Sequence, residues 1–297
     1  MRRSALGWAF VTILFWSSAF VGIRVGLQAF SAGHVVLLRF LTASIVLLGG
    51  VLVTRGRLVP PRRAWGRVAV SGLTGFTIYH TALTLGERTV AASTASFIIA
   101  AALLFSTILA RILLKEAIRP WAWAGMAISF FGVAVMSGLG HEWHWDALLI
   151  VLAAVSTAVF FVAEKPLLAE FRVIDVTAWV TWAGTLPMLA FSGGFIHALA
   201  HAPWYPLLMV IYIGVFPAAG AYVTWSLALR DSAMGSIAPM MYLNPVLASV
   251  LGWIMLGERP GWPLVAGGIL IVGGVWIIQA AAPFRGSPTL VSEGEGL

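Results

Sequence analysis

The sequence predicts an all-α membrane protein with ten transmembrane helices, arranged as two inverted five-helix repeats around a central cavity. Three observations support this fold class. Of the 297 residues, 60% are hydrophobic and 10% are charged, which lies outside the range of soluble globular domains. The apolar residues form ten runs, each about 20 residues long, which is the length that a helix needs to cross a bilayer. One block of sequence in the first half also recurs in the second half.

The ten apolar segments follow one another with short connections. They cover about residues 5–27, 34–53, 66–86, 90–113, 120–137, 146–168, 174–197, 205–229, 234–256 and 262–281. These runs are too long, and alternate too little, for the strands of a membrane β-barrel. Residues 283–297 are polar and rich in glycine, so we expect a disordered tail there.

The distribution of Lys and Arg predicts the orientation of the chain, because cytoplasmic connections retain positive charge. With the N-terminus inside, 14 of the 18 basic residues lie on the inner side. The outer segments hold only Arg88 and Arg259; Arg24 and Arg39 lie inside helix ends near the outer face, and even if both are counted as external the bias is 14 to 4. Both termini and the tail are therefore predicted to be cytoplasmic. The basic residues lie between apolar runs and form no single face, so we expect no nucleic-acid partner.

The recurring block indicates an internal duplication. Residues 103–135, LLFSTILARILLKEAIRPWAWAGMAISFFGVAV, align without a gap with residues 245–277. The alignment places Gly125 on Gly267 and Gly132 on Gly274, and glycines of this kind allow close helix approach. Each half holds five segments, an odd number, so the second copy enters the membrane upside down. We predict repeats at 1–144 and 145–282, an arrangement typical of carriers that alternate access around a midplane site.

Prolines interrupt three segments of the second half. Pro187, Pro217 and the Asn244-Pro245 pair remove backbone donors within apolar runs, which leaves carbonyl groups free near the bilayer centre. We predict that Pro217 and Pro245 act as hinges. The alternative is a packing kink whose free carbonyl is satisfied by a neighbouring helix.

Candidate binding residues are polar and aromatic side chains at midplane depth. His80 lies near the middle of the third segment beside Tyr79, and an ionisable group at this depth is costly unless it is paired or used. His80 either donates to a nearby carbonyl, meets a substrate carboxylate or carries a proton. The other predicted substrate contacts are Trp16, Phe97, Trp182, Tyr222, Trp225 and Asn244. Such a surface suits a solute with an apolar or aromatic body; individually, these residues are equally typical of a core or a lipid-facing surface.

Several kinds of chemistry find no support in the sequence. The chain has no cysteine, which excludes disulfides and thiolate sites. The histidines of HEWH, residues 141–144, lack the spacing of a zinc-binding helix, and we expect neither a metal nor a cofactor. No carboxylate lies in the middle of a segment, which disfavours exchange of cations for protons. We interpret Glu164 with Lys165, and Arg230 with Asp231, as interfacial pairs.

These stretches resemble a known family. The duplicated block with LKE and LGE, the WSSAFVGIR of the first segment and the LLRF of the second are similar to the EamA-type branch of the drug/metabolite transporter superfamily. Within it, the chain most resembles the YddG-type exporters of aromatic amino acids in bacterial inner membranes. The resemblance covers nearly the whole chain and implies a basket of helices around a central cavity. Asn244-Pro245 matches the family pattern in the second half. The first half departs from that pattern, because Leu103 occupies the position at which a proline would be expected.

We therefore expect an exporter of amino acids, aromatic or otherwise apolar, and of related small metabolites, working by alternating access in a bacterial inner membrane. A multidrug or other metabolite carrier of the same fold is the first alternative. The second is a membrane-embedded transferase, which the short external connections disfavour.

Overall fold

The computed structural model describes residues 3–86, 92–115, 118–137, 147–233, 237–256 and 261–280. Within these ranges every regular element is helical, which confirms the predicted all-α class. The α-helices are α1 (Arg3–Gly26), α2 (Ala32–Val53), α3 (Trp65–Gly72), α4 (Tyr79–Gly86), α5 (Ala92–Leu113), α6 (Pro120–Ser137), α7 (Ala147–Glu170), α8 (Val173–Met188), α9 (Phe195–His201), α10 (Trp204–Ile213), α11 (Ala221–Arg230), α12 (Leu243–Leu256) and α13 (Trp262–Ala280).

Short segments of other helical geometry join some of these helices. A π-helical segment, Leu73–Ile78, connects α3 to α4, and a second, Gly214–Gly220, connects α10 to α11. The segment Ala238–Tyr242, a 3₁₀ helix, precedes α12. π-Helical turns inside longer helices are frequently found at functional sites, so both π segments are of interest for the site.

The length and apolar composition of the helices are those of a membrane protein. Among the described residues, six stretches are long and apolar enough to cross a bilayer: Ser4–Ile23, Ala32–Val53, Arg62–Gly86, Leu148–Glu170, Val173–Ser192 and Trp204–Arg230. Shorter apolar helices occupy Ala102–Leu113, Pro120–Val135 and Val265–Ile278. Described helices occur in each of the ten apolar segments, although the seventh ends earlier than predicted. There α8 stops at Met188, a 3₁₀ turn follows to Ser192, and α9 is a separate short helix.

Helices α6 and α13 cross at unusually close range. A Cβ atom on Gly125 would lie 2.6 Å from the carbonyl oxygen of Gly274, and one on Gly132 would lie 2.7 Å from that of Gly267. Between these two contacts, Ser129 Oγ donates to the carbonyl of Ile271 at 3.2 Å. The close approach expected of these glycines is confirmed, because a Cβ atom would clash with the opposite backbone at each glycine contact.

Helices from the two halves of the chain interleave at the centre. Helix α1 packs against α10, α11 and α12, and α2 packs against α8. Polar contacts accompany this packing: the hydroxyl oxygens of Thr12 and Thr224 lie 2.6 Å apart, and Ser18 Oγ lies 2.8 Å from Tyr212 Oη. The centre of the molecule is therefore built from both halves.

The prolines do not all interrupt helix centres. Pro217 does, because it lies inside the π segment Gly214–Gly220 in the middle of a long apolar stretch. Pro187, in contrast, is exposed and lies one residue before the end of α8. Pro245 lies in the first turn of α12, where a helix has no use for the missing N–H. The expectation of a central break at Pro187 is therefore wrong, whereas within the segment that contains Pro245 the helix changes from 3₁₀ to α just before the proline.

Candidate functional site

Aromatic rings from five parts of the chain meet at the centre of the structure. They are Trp16, Phe40, Phe76, His80, Phe160, Phe161, Tyr222 and Trp225, and we call them the aromatic cluster. Neighbouring ring centroids are between 4.6 Å and 6.0 Å apart, the range of favourable aromatic pairs. Four of these residues were predicted as substrate contacts, and the structure brings them together.

His80 and Tyr222 form the polar contact of the cluster. Both side chains are buried, and His80 Nε2 lies 3.3 Å from Tyr222 Oη. The ring of Phe76 lies 4.6 Å from that of Tyr222. Tyr79 is half-buried, with its ring 4.6 Å from the imidazole of His80, so it flanks the cluster. The first turn of α4, which follows a π segment, thus presents two adjacent polar aromatic residues.

The two tryptophans of the cluster differ in how their N–H groups are used. Trp16 Nε1 donates to the carbonyl of Pro217 at 3.0 Å, which ties α1 to the π segment Gly214–Gly220. Trp225 is fully buried, and its Nε1 has no hydrogen-bond partner among the described residues. A buried donor without a partner is costly, so the Trp225 N–H is suited to an acceptor atom on a solute.

Other predicted contacts lie at the edge of the cluster or apart from it. Asn244 Oδ1 accepts a hydrogen bond from Ser17 Oγ at 3.0 Å, which places this amide beside α1. Trp182 Nε1 donates to the carbonyl of Ser44 at 3.2 Å, and the described ring contacts do not link Trp182 to the cluster. The side chains of Phe97 and Pro245 lie outside the described residues, so their predicted roles remain predictions.

Several cluster residues were missed from the sequence. These are Phe40, Phe76, Phe160 and Phe161. One signal was present: Phe76 precedes His80 by four residues, a spacing that places two side chains on the same helix face. The other three phenylalanines lie in long apolar runs, where nothing in the local sequence separates them from lipid-facing residues.

Arg39 is buried inside the protein, which the sequence did not predict. Its side chain is 6% exposed, and its guanidinium carbon lies 5.2 Å from the centroid of the Phe40 ring. The same Phe40 ring lies 4.7 Å from the imidazole of His80, so Arg39 lies beside the aromatic cluster. The candidate site therefore contains a cation that sequence reasoning did not assign to it.

Glu164 is also buried, on the α7 side of the centre. Its Oε1 accepts a hydrogen bond from Ser226 Oγ at 2.8 Å, and its Oε2 has no partner among the described residues. The adjacent Lys165 donates to a backbone carbonyl instead, so the expected interfacial pair of these two residues is wrong. The pair of Arg230 and Asp231 is confirmed, with Nε and Oδ1 3.2 Å apart.

Comparison with known proteins finds a family model and several relatives that match most of this chain. The model of the EamA-like transporter family matches residues 3–138 and again residues 144–280. A "Probable terminal-alkyne amino-acid exporter" of Streptantibioticus cattleyicolor is 35% identical over 284 residues, which cover 94% of this chain and 95% of that protein.

Further relatives have no assigned solute. The "Uncharacterized transporter YdfC" of Bacillus subtilis is 32% identical, covering 88% of this chain and 86% of the relative. The "Uncharacterized inner membrane transporter YedA" of Escherichia coli K12 is 26% identical, covering 85% and 83%. A chain in a solved crystal structure superposes with a TM-score of 0.79 at 22% identity, covering 94% of this chain and 98% of that chain. This last match shows that the fold is shared.

Proposed function

Because this chain belongs to the EamA-like transporter family, we propose that it exports amino acids with aromatic or other apolar side chains, and related small metabolites, across the bacterial inner membrane. The family and its relatives are transporters and not enzymes, so the membrane-embedded transferase is no longer a candidate. A relative named as an inner membrane transporter supports the location, and one named as an amino-acid exporter supports the solute class.

The aromatic cluster is the observation that carries this proposal. Its members come from both regions that match the family model: Trp16, Phe40, Phe76 and His80 from the first, and Phe160, Phe161, Tyr222 and Trp225 from the second. Ring faces favour a flat apolar body. The Trp225 N–H and the Tyr222 hydroxyl offer hydrogen bonds to the polar end of the same solute. An aromatic amino acid combines these two features.

A twofold relation between the halves supports the inverted repeat. The aligned blocks are separated by 142 residues, and two contacts join residues with this same separation: His80 with Tyr222, and Ser129 with Ile271. Residues related by a twofold axis meet each other where they lie on it. The glycine contacts between α6 and α13 are reciprocal in the same sense, since Gly125 meets Gly274 and Gly132 meets Gly267.

The two π segments fit the same relation. Leu73–Ile78 and Gly214–Gly220 occupy corresponding places in the two halves, and each immediately precedes a polar member of the cluster. In our proposal ten helices span the membrane as repeats 1–144 and 145–282, with both termini in the cytoplasm. The halves rock about the cluster and expose it to each side in turn. Pro217 and Pro245 act as the bending points.

Solute counterflow tests the proposal. Liposomes containing the purified protein are loaded with unlabelled phenylalanine, and entry of labelled phenylalanine is followed. Acceleration over unloaded liposomes is expected for phenylalanine, tryptophan, leucine and the terminal-alkyne amino acid propargylglycine, but not for glutamate. Exchange of the cation ethidium without exchange of amino acids would favour the multidrug carrier. Absence of amino-acid counterflow would refute the proposal.

Two substitutions locate the transport site. Trp225→Ala and Tyr222→Ala remove buried rings of the cluster and should lower the rate of phenylalanine counterflow at least about tenfold, because each large buried ring contributes about 1.5–3 kcal/mol of apolar contact. Trp276→Ala is the matched control, since this indole is 69% exposed on α13. Equal rates in all three variants, at equal amounts of folded protein, would exclude the cluster as the site.

A further inference from the structure

Arg39 carries a positive charge in a place where charge is expensive. The side chain is 6% exposed in the second apolar helix, within the run of buried residues 35–40. The described ion pairs join Arg63 to Glu170 and Arg230 to Asp231, and among the described residues no carboxylate pairs with Arg39. Its Nε has no hydrogen-bond partner there either. An ionisable group at this depth without a counter-ion is a functional-site candidate, because its desolvation is not otherwise compensated.

The side chain of Arg39 contacts an aromatic ring of the cluster. The guanidinium carbon lies 5.2 Å from the Phe40 ring centroid, within the range of a cation–π contact. Such a contact occupies the face of the guanidinium and leaves the N–H groups at its edge for acceptors. The same Phe40 ring lies 4.7 Å from His80, and His80 contacts Tyr222. Through Phe40, Arg39 is therefore adjacent to the polar contact between His80 and Tyr222 in the aromatic cluster.

We propose that Arg39 binds the carboxylate of the exported solute and thereby selects carboxylic acids over amines of the same shape. This inference rests on the proposed function and deepens it by naming the charged group that the site recognises. A guanidinium matches a carboxylate with two parallel N–H donors. The solute would supply the missing counter-ion of Arg39, while the rings of the cluster hold its apolar body. The Trp225 N–H provides a further donor within the same cluster.

A comparison of ligand binding to the unmodified protein tests the inference without any variant. Quenching of tryptophan fluorescence reports binding, since Trp16 and Trp225 lie in the cluster. Three ligands of one shape are compared: phenylalanine, 3-phenylpropionate, which keeps the carboxylate but lacks the amine, and phenethylamine, which lacks the carboxylate. Binding of phenethylamine is expected to be at least about tenfold weaker than that of 3-phenylpropionate. Equal or tighter binding of the amine would overturn the inference.

Variants assign the effect to Arg39. Arg39→Gln should weaken binding of phenylalanine and 3-phenylpropionate about ten- to hundredfold and leave phenethylamine unchanged. Arg39→Lys keeps the charge but not the planar pair of donors, so an intermediate loss is expected. Arg230→Gln is the matched control, because this arginine is half-exposed and pairs with Asp231. If Arg39→Gln fails to fold, Arg39→Lys still decides: native affinity for both carboxylates in a folded Arg39 variant would overturn the inference.

The two proposals fail in different ways. Absence of phenylalanine counterflow in the native protein would refute amino-acid export, whereas the fluorescence titration would still report carboxylate binding. Native counterflow with an unchanged preference for carboxylates in Arg39→Gln would retain the exporter and remove the role of Arg39.

Discussion

Replacing Gly274 by alanine should destabilise the protein through the crossing of α6 and α13. A Cβ at this position would lie 2.5 Å from the carbonyl oxygen of Gly125 and 2.8 Å from the amide nitrogen of Ser129. Both of these are backbone atoms, which cannot turn away as a side chain can, so the two helices must move apart. Overpacking of this kind costs about 1–3 kcal/mol. Weakening the hydrogen bond from Ser129 to Ile271, 3.2 Å long, adds about 1 kcal/mol. The expected loss is about 2–4 kcal/mol.

The adjacent Gly273 provides a matched control on the same helix turn. A Cβ there meets nothing within 4 Å, and alanine is a better helix former than glycine. Thermal unfolding of the detergent-solubilised protein, followed by size-exclusion chromatography, compares the two. Gly274→Ala should lower the midpoint by about 3–6 °C, while Gly273→Ala should leave it unchanged or raise it slightly. Equal midpoints for the two variants would refute the packing of α6 on α13.

Three further substitutions probe polar contacts. Ser226→Ala removes the hydrogen bond to the buried Glu164 and should cost about 1–3 kcal/mol, read as a lower thermal midpoint; an unchanged midpoint would mean that the carboxyl has another partner. Arg63→Ala breaks an ion pair with Glu170 whose side chains are 69% and 41% exposed, so stability should change by less than about 1 kcal/mol, and a larger loss would contradict this. Tyr222→Phe keeps the ring but removes its hydroxyl, and it should raise the KM of phenylalanine counterflow about three- to tenfold. It should also lower the thermal midpoint, because His80 loses its buried partner; a native KM would exclude the hydroxyl from solute binding.

The class of protein and the positions of most helices were predictable from the sequence, because both depend on local properties. The length of an apolar run determines whether it can cross a bilayer. His80 was proposed as a site residue for a related reason, since a histidine predicted at midplane depth needs a partner. Its contact with Tyr222, 3.3 Å away and 142 residues distant, is a tertiary fact that depth alone does not give.

The facing direction of each side chain was harder to predict than its depth. Arg39 was placed by depth alone, inside the end of its helix; the structure adds that its side chain is buried within the protein. Glu164 and Lys165 were paired because they are neighbours in sequence. Adjacent residues on a helix point about 100° apart, and the structure directs Glu164 to Ser226.

Proline positions indicated interruptions but not their geometry. At Pro217 the chain accommodates the missing donor with a π segment, whereas at Pro245 a 3₁₀ helix has already ended when the proline occurs in the first turn of α12. The equivalent π segment, Leu73–Ile78, contains no proline. Its existence depends on packing against α7 and α8, which a single sequence does not reveal.

Thiol labelling at one position tests the alternating-access account most directly. The chain has no cysteine, so Tyr79→Cys introduces a single thiol beside His80, where the native side chain is half-buried. The account predicts that a membrane-impermeant thiol reagent modifies this position from either side of the membrane, and that saturating phenylalanine slows the reaction from both. Modification from neither side, or at a rate that phenylalanine does not change, would contradict a solute site shared between the two halves.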